Sequence, residues 1–285
     1  MKIEFLGTGG AMAIPRPLCK CRVCSEARKI GVPYSRSGPS LFIHGPNILI
    51  DTPEDIYFQI NRSSIEKIDG VLYSHWHPDH IMGRRILESI HADWRSYPPN
   101  NKQSDVYLPE QVAIDFRHRL GMGDHLSFFS KQGYINIHEL KDGEAFTSNG
   151  AVITPFRLEE PYVYAFLVED KNHKMVIAPD ELNNWKPDDS LNNIDLAILP
   201  MGVAEYHPLT GERQIPQEHP VLQEECTFIE TVEIIKRLNP KRTILTHIEE
   251  SDGLSFDDFK EIENNLKAQG LNISFAYDTL IVDLE

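Results

Sequence analysis

The chain has 285 residues, 41% of them hydrophobic and 25% charged, which suits a globular protein built as one large α/β domain or two small ones. Its net charge of −15 argues against a nucleic-acid backbone as the main partner, because phosphate binding needs clustered Lys and Arg. No apolar run reaches the length of a membrane span, so the composition points to an acidic protein with a small substrate.

The opening KIEFLG predicts a strand that ends in the turn Gly7-Thr8-Gly9-Gly10. With Glu4 inside it and no basic leader, this start is not read as a signal peptide, and the cytoplasm is the expected location. An irregular stretch follows with Cys19, Cys21 and Cys24 spaced C-x-C-x2-C. Neighbours this close do not make an ordinary disulfide framework, whereas three thiolates on short spacers suit a tetrahedral structural zinc, in a loop at about 15–28. Residues 41–51 predict a hairpin turning at 45–47. A short helix is expected from Pro53 to about Asn61, a strand over 69–75, and a helix carrying Ile81, Ile86, Leu87 and Ile90. A polar, proline-containing loop spans 92–104 and leads into a strand and helix, DVYLPEQVAIDFRHRL. The glycine-rich, aromatic segment 121–134 is expected to lie over a pocket.

Strands then dominate: AVITPF, VYAFLVED, KMVIAPD and IDLAILP. A loop over 202–222 precedes a helix from roughly Glu224 to Leu238, with Phe228, Val232, Ile235 and Leu238 on one face. Strand RTILTH, helix SFDDFKEIENNLKAQ and strands NISFAYD and LIVDL close the chain. With no linker or internal repeat, the order predicts a single domain, 1–285, of two sheets covered by helices.

The stretch SHWHPDHIMG, residues 74–83, places His75, His77, Asp79 and His80 where a strand gives way to a helix. His75 and His77, two apart, point the same way from an extended backbone, and Pro78 turns the chain so that Asp79 and His80 come back to the same centre. Histidine and aspartate together suit zinc, manganese or iron. Asp180, at the end of MVIAPD, and His247, at the end of TILTH, each follow a buried-looking aliphatic run and would emerge at one sheet edge. An aspartate there could bridge two metals.

The set H-x-H-x-D-H with a following glycine, a strand-end Asp and a final strand-end His resembles the metallo-β-lactamase fold superfamily. LGTGGA and LTHI match as well, so the similarity runs along essentially the whole chain. The resemblance implies an αββα sandwich of two mixed sheets flanked by helices, with a one- or two-metal site on one edge. The C-x-C-x2-C loop is similar to that of the cyclic phosphodiesterase branch of the carbon–phosphorus lyase pathway, and to a protein of pyrroloquinoline quinone biosynthesis. In that branch the cysteines hold a structural zinc and two metals occupy the active site.

Three places depart from the family pattern. A histidine ligand is expected between the first cluster and the bridging aspartate, and Glu159 or Glu160 stands there, with Glu160 taken as the ligand. Where the fourth zinc ligand is expected as histidine, THIEE has Glu250. The histidine expected at the start of the late helix is replaced around Glu225, so His219, ahead of His207, is taken as the group that protonates a leaving oxygen.

The reading is then a hydrolase with two divalent ions, zinc or manganese, at His75, His77, Asp79, His80, Asp180 and His247, aided by Glu160. Hydroxide from a metal-activated water attacks a small (cyclic) phosphodiester, with Asp79 accepting the proton. Arg157, Arg84 or Arg85 could meet the phosphate. A homodimer is compatible with this. The alternatives are an ester, thioester or lactone hydrolase of the same fold, and a metal-binding accessory protein without turnover.

Overall fold

The computed structural model describes every residue except 98, 100–102, 120 and 285. Parts of the expected polar loop over 92–104 therefore lie outside the described residues.

Among the described residues, fourteen strands form two seven-stranded sheets. The first half of the chain supplies β1 (Lys2–Gly7), β2 (Ser40–His44), β3 (Ile48–Ile50), β4 (Gly70–Leu72), β5 (Ser104–Pro109) and β6 (Ile135–Leu140). The second half supplies β7 (Phe146–Ser148), β8 (Ala151–Arg157), β9 (Tyr164–Glu169), β10 (Lys174–Ile177), β11 (Leu196–Pro200), β12 (Arg242–Thr246) and β13 (Ile273–Phe275). The last strand, β14 (Ile281–Asp283), returns to pair with β1, so the first sheet runs β14-β1-β2-β3-β4-β5-β6 and the second β13-β12-β11-β10-β9-β8-β7. The 41–51 hairpin forms as read, with Leu41 opposite Ile50.

The helices are α1 (Arg22–Ile30), α2 (Ile56–Arg62), α3 (Pro78–Ile81), α4 (Ile86–His91), α5 (Glu110–His118), α6 (Met122–Lys131), α7 (Val221–Glu224), α8 (Phe228–Leu238) and α9 (Phe256–Ala268). One apolar cluster takes in the first sheet and the facing side of the second, holding Ile43, Ile48 and Leu72, which share one face, together with Phe166, Val168 and Ile198. A second lies on the outer face of the second sheet, where Ala197, Leu199 and Leu245 meet Phe228, Ile235 and Phe259 of α8 and α9. These layers are the αββα sandwich, and no helix among the described residues is long and apolar enough to cross a membrane.

Several stretches differ from expectation: the late helix expected from roughly Glu224 begins at Phe228, where Thr227 caps it, and the helix expected to carry Ile81 to Ile90 is split into α3 and α4. Residues 122–131 are a helix, not a cover over the pocket. Met122, Leu126 and Phe129 fall at i, i+4 and i+7 and are buried, so the segment packs its apolar face down. The cysteine stretch is not wholly irregular, since α1 starts directly after Cys21, whose sulfur accepts the backbone N–H of Cys24.

The strand directions place the site. In the first sheet β3, β4, β5 and β6 run parallel, and in the second β10, β11, β12 and β13 do. Side chains just past the carboxyl ends of parallel strands share one rim, which is where open α/β sheets bind ligands. Asp51 follows β3, Ser74 and His75 follow β4, Asp180 follows β10 and His247 follows β12.

Gly83, the glycine closing SHWHPDHIMG, locks this rim. Its N–H donates to the Thr52 carbonyl at 2.8 Å, and a Cβ there would stand 2.0 Å from the Pro53 carbonyl oxygen. Gly83→Ala is expected to destabilise the fold by about 1–3 kcal/mol, because the obstacle is backbone and cannot swing away. Thermal unfolding followed by circular dichroism checks this, and an unchanged Tm would contradict it.

Candidate metal centre

Six of the expected residues converge. His75, His77 and Asp180 offer three ligand atoms within 4.8 Å of one another, and Asp79, His80 and His247 offer another three. Asp180 stands between the two groups. Its Oδ2 lies 3.3 Å from His75 Nε2 and its Oδ1 lies 3.5 Å from His247 Nε2. Asp79 Oδ2 lies 3.4 Å from His80 Nε2 and 3.5 Å from His247 Nε2. The Nε2 atoms of His80 and His247 face each other at 3.3 Å.

Hydrogen bonding behind the rings decides which nitrogens are free to ligate. Asp51 is buried, and its carboxylate accepts from Ser74 N at 2.8 Å, Ser74 Oγ at 2.6 Å and His80 Nδ1 at 2.8 Å. A carboxylate can only accept, so His80 carries its proton on Nδ1 and presents a bare Nε2. Ser74 spends its single O–H on Asp51, so its oxygen accepts from His75 Nδ1 at 3.0 Å. His75 therefore also presents a bare Nε2, fully buried and with no hydrogen-bond partner. Buried lone pairs aimed at a shared carboxylate are the donor set a divalent cation requires, and an acceptor behind each ring, Asp51 for His80 and the Ser74 oxygen for His75, is the usual support for a ligating histidine. The residues fit a metal pair.

Electrostatics divide the four rings into two pairs. Burial pushes His75 below its ordinary value, and burial together with neighbouring His75 pushes His77 down to about 4, so both favour the neutral form that ligates. Burial opposes charge on His80 and His247 too, but Asp79 and Asp51 beside His80, and Asp180 and Asp79 beside His247, outweigh it and raise both, so a bound cation would displace a proton from each of these rings. Burial likewise opposes charge on Asp79 and Asp180, yet His80 and His247 respectively hold them below the carboxylate range. Backbone strain gathers here as well. Asp51, Glu181 and His247 have φ of 59°, 37° and 52°, a region that non-glycine residues enter at a cost of order 1–3 kcal/mol and that clusters at functional sites.

A second group lies close by in sequence. The sulfurs of Cys19, Cys21 and Cys24 stand 3.1, 3.1 and 3.2 Å from one oxygen of Glu250. Cys226 is elsewhere, buried beside Thr227 and Thr231 at the start of α8. Glu249 joins the two groups: its carboxylate accepts the N–H of Ala11 at 2.9 Å and of Met12 at 2.8 Å, and it faces His247 Nδ1 at 3.8 Å. A Cβ on Gly10 would meet Glu249 at 2.0 Å and the His247 ring at 2.8 Å, which explains the last glycine of LGTGGA.

The family model of the beta-lactamase superfamily domain matches residues 46–248, more than half of the chain. The chain belongs to this superfamily. Over 162 residues it is 29% identical to an octanoyltransferase of Porphyromonas gingivalis, a match covering 55% of this chain and 30% of that protein. Over 181 residues it is 26% identical to a ribonuclease Z of Archaeoglobus fulgidus, covering 61% of this chain and 50% of that one. It thus spans half or less of the length of these curated relatives. Among solved structures, a diphosphatase of the PhnP family superposes with a TM-score of 0.71 at 24% identity, covering 100% of this chain and 98% of that one. The ribonuclease relative does not agree with setting nucleic acid aside, since net charge describes a whole surface and not one groove.

Not every residue picked from the superfamily pattern reaches the site. Glu160 is in neither ligand group. It sits half-buried on the turn after β8, where its carbonyl accepts from Val163 at 3.0 Å, and the Tyr162 ring stands next to His77 at 5.4 Å between centroids. His219 is exposed, and its Nδ1 accepts the N–H of Val221 at 3.1 Å, so it caps a turn and stays outside the pocket. His207 likewise accepts from Leu209 at 3.2 Å within its own loop. Arg157 is held by Pro161 at 2.8 Å and Asp142 at 2.6 Å, Arg85 pairs with Glu88, and Arg84 leans on the Ile81 carbonyl. None of the three lines the pocket beside the ligand groups. Sequence reasoning missed Asp51, Ser74, Glu181 and Glu249.

Proposed function

We propose that this protein is a metal-dependent hydrolase of a small phosphodiester. His75, His77 and Asp180 would hold one divalent ion, zinc or manganese, and Asp79, His80 and His247 a second, with Asp180 shared. Cys19, Cys21, Cys24 and Glu250 would hold a structural zinc. The observation that carries the reading is the pair of bare, buried Nε2 atoms on His75 and His80 facing the shared carboxylate of Asp180. Once bound, such a metal pair lowers the pKa of a water and stabilises charge on phosphoryl oxygens.

The chain's own residues do the rest. Asp51 and Ser74 fix both ring tautomers, so no reorganisation is needed when substrate arrives. Asp79, at the mouth of the ligand groups, is the carboxylate that accepts the proton released by the attacking water. Glu249 pins residues 11–12 against His247 and so shapes one wall. The ligand groups open onto a small cleft of about 90 Å³, lined by Asp79, Glu181, Val203, Glu225 and Glu249, which admits one small group beside them. A phosphorus–oxygen bond is favoured because one relative is a ribonuclease and a structural neighbour is a diphosphatase.

Metal analysis together with a substrate panel tests the reading. Three ions per chain and turnover of phosphodiesters, not of thioesters or lactones, are expected. A single ion per chain, held by the cysteines, and no turnover would instead indicate the accessory role.

A further inference from the structure

The cysteine group and the metal centre share one short stretch of chain. Three sulfurs and the Glu250 carboxylate offer four donor atoms within 4.8 Å of one another, the number a tetrahedral zinc takes. Glu249, the residue before, lines the cleft and faces His247. This stretch is zipped to the start of the chain. Ile248 N–H donates to the Thr8 carbonyl at 2.9 Å, Gly10 N–H to the Ile248 carbonyl at 3.1 Å, and Glu250 N–H to the Met12 carbonyl at 3.0 Å. Past Met12 the chain enters the cysteine group. There Arg16 N–H donates to the Cys24 sulfur at 3.2 Å, and the Arg16 guanidinium stands 3.7 Å from Glu250. Both strands of the zip are therefore anchored in the cysteine group, and between them they carry Ala11 and Glu249 into the cleft wall.

The acceptor behind the His247 ring differs from those behind the other two. Asp51 and Ser74 are buried and meet His80 and His75 at 2.8 and 3.0 Å. Glu249 stops 3.8 Å from His247 Nδ1, too far for a hydrogen bond, and is held by the N–H groups of Ala11 and Met12. His247 itself has left the strand, with φ of 52°, so no regular ladder fixes its ring. We infer that filling the Cys19–Cys21–Cys24–Glu250 group sets Glu249 behind His247 and so tightens ion binding at Asp79, His80 and His247. Glu249 is then a positioning residue, touching no reacting atom and supporting His247 Nδ1 while Nε2 ligates. With the cysteine group empty, Glu250 and residues 12–16 lose their common anchor, and the backbone N–H groups that hold Glu249 are free to shift. Such a coupling is reciprocal, so an occupied centre also tightens the cysteine group. The inference rests on the metal centre of the proposed function, and not on which bond is hydrolysed there.

The experiment is calorimetric titration of manganese into the full chain, with the cysteine group empty and with it filled by one equivalent of cadmium. Cadmium is a soft ion that seeks the thiolates, and its thiolate charge-transfer absorption reports where it sits. Manganese is a hard ion that goes to the carboxylate-bearing centre. Manganese is expected to bind at least about tenfold tighter to the cadmium-filled protein, the scale on which a ligand's support acts. In Glu249→Gln that ratio is expected to fall close to one, because an amide has one acceptor oxygen and turns N–H₂ towards its former donors. The ratio is read within each protein, and far-ultraviolet circular dichroism of every form reports whether the fold is kept. Equal manganese affinity with and without cadmium would overturn the inference. So would a gain that survives Glu249→Gln, since cadmium would then act only by stabilising the fold. No manganese binding to either form of the wild type would instead overturn the metal centre itself, and the inference with it.

Discussion

Asp180→Ala is expected to reduce phosphodiester hydrolysis by at least about 10³-fold, equivalent to roughly 4 kcal/mol of lost transition-state stabilisation. Asp180 reaches both ligand groups, with one oxygen towards His75 and His80 and the other towards His247. Its removal takes a ligand from each side, so metal analysis should show fewer than two ions at this centre while the cysteine-bound zinc stays. The fold should survive, because Asp180 lies past the end of β10 and contributes nothing to the apolar clusters. Unchanged turnover with full metal content would remove Asp180 from the account.

Asp51→Asn should be nearly as damaging without touching any ligand directly. Asp51 accepts three hydrogen bonds, from Ser74 N, Ser74 Oγ and His80 Nδ1. An asparagine has one acceptor oxygen, and its amide N–H₂ would confront donors. Either His80 turns its proton towards the metal, or a buried donor goes unpaired. Losing a supporting carboxylate of this kind costs on the order of 10- to 100-fold in metal affinity. The broken network should also cost about 2–4 kcal/mol of stability. A metal titration of the variant together with its denaturant midpoint measures both. Wild-type affinity would show that the Asp51–His80 contact does not support ligation.

Much of the fold was readable because its signals are local. The hairpin at 41–51 announces itself by two apolar runs around Gly-Pro-Asn, and the late helices by 3.6-residue periodicity. α6 was harder to see because its glycines masked a buried stripe that only packing against neighbouring elements reveals. The ligand candidates were legible for a physical reason, as aliphatic runs ending in Asp or His put chemistry at a strand end. The same signal sits in NILID, which ends at Asp51, so that residue could have been found by the rule that found Asp180. Glu181, Glu225 and Glu249 carry no such mark, since their meaning depends on which loops the two sheets bring together. Glu160 and His219 were transferred from a family pattern by position, and the fold puts Glu160 on a turn beside Tyr162 and His219 in a solvent-facing cap. The cysteine group was legible through its spacing, and Glu250 through its place after His247.

The central claim is metal-dependent phosphodiester hydrolysis at the His75–His247 centre. It is tested most directly by the turnover of bis(p-nitrophenyl) phosphate by zinc- or manganese-loaded protein and by His77→Ala. The account predicts turnover by the wild type and a loss of at least about 10²-fold in the variant, because His77 is one of the three ligands beside Asp180. Equal rates for the two proteins, or no turnover by fully loaded wild type, would contradict it.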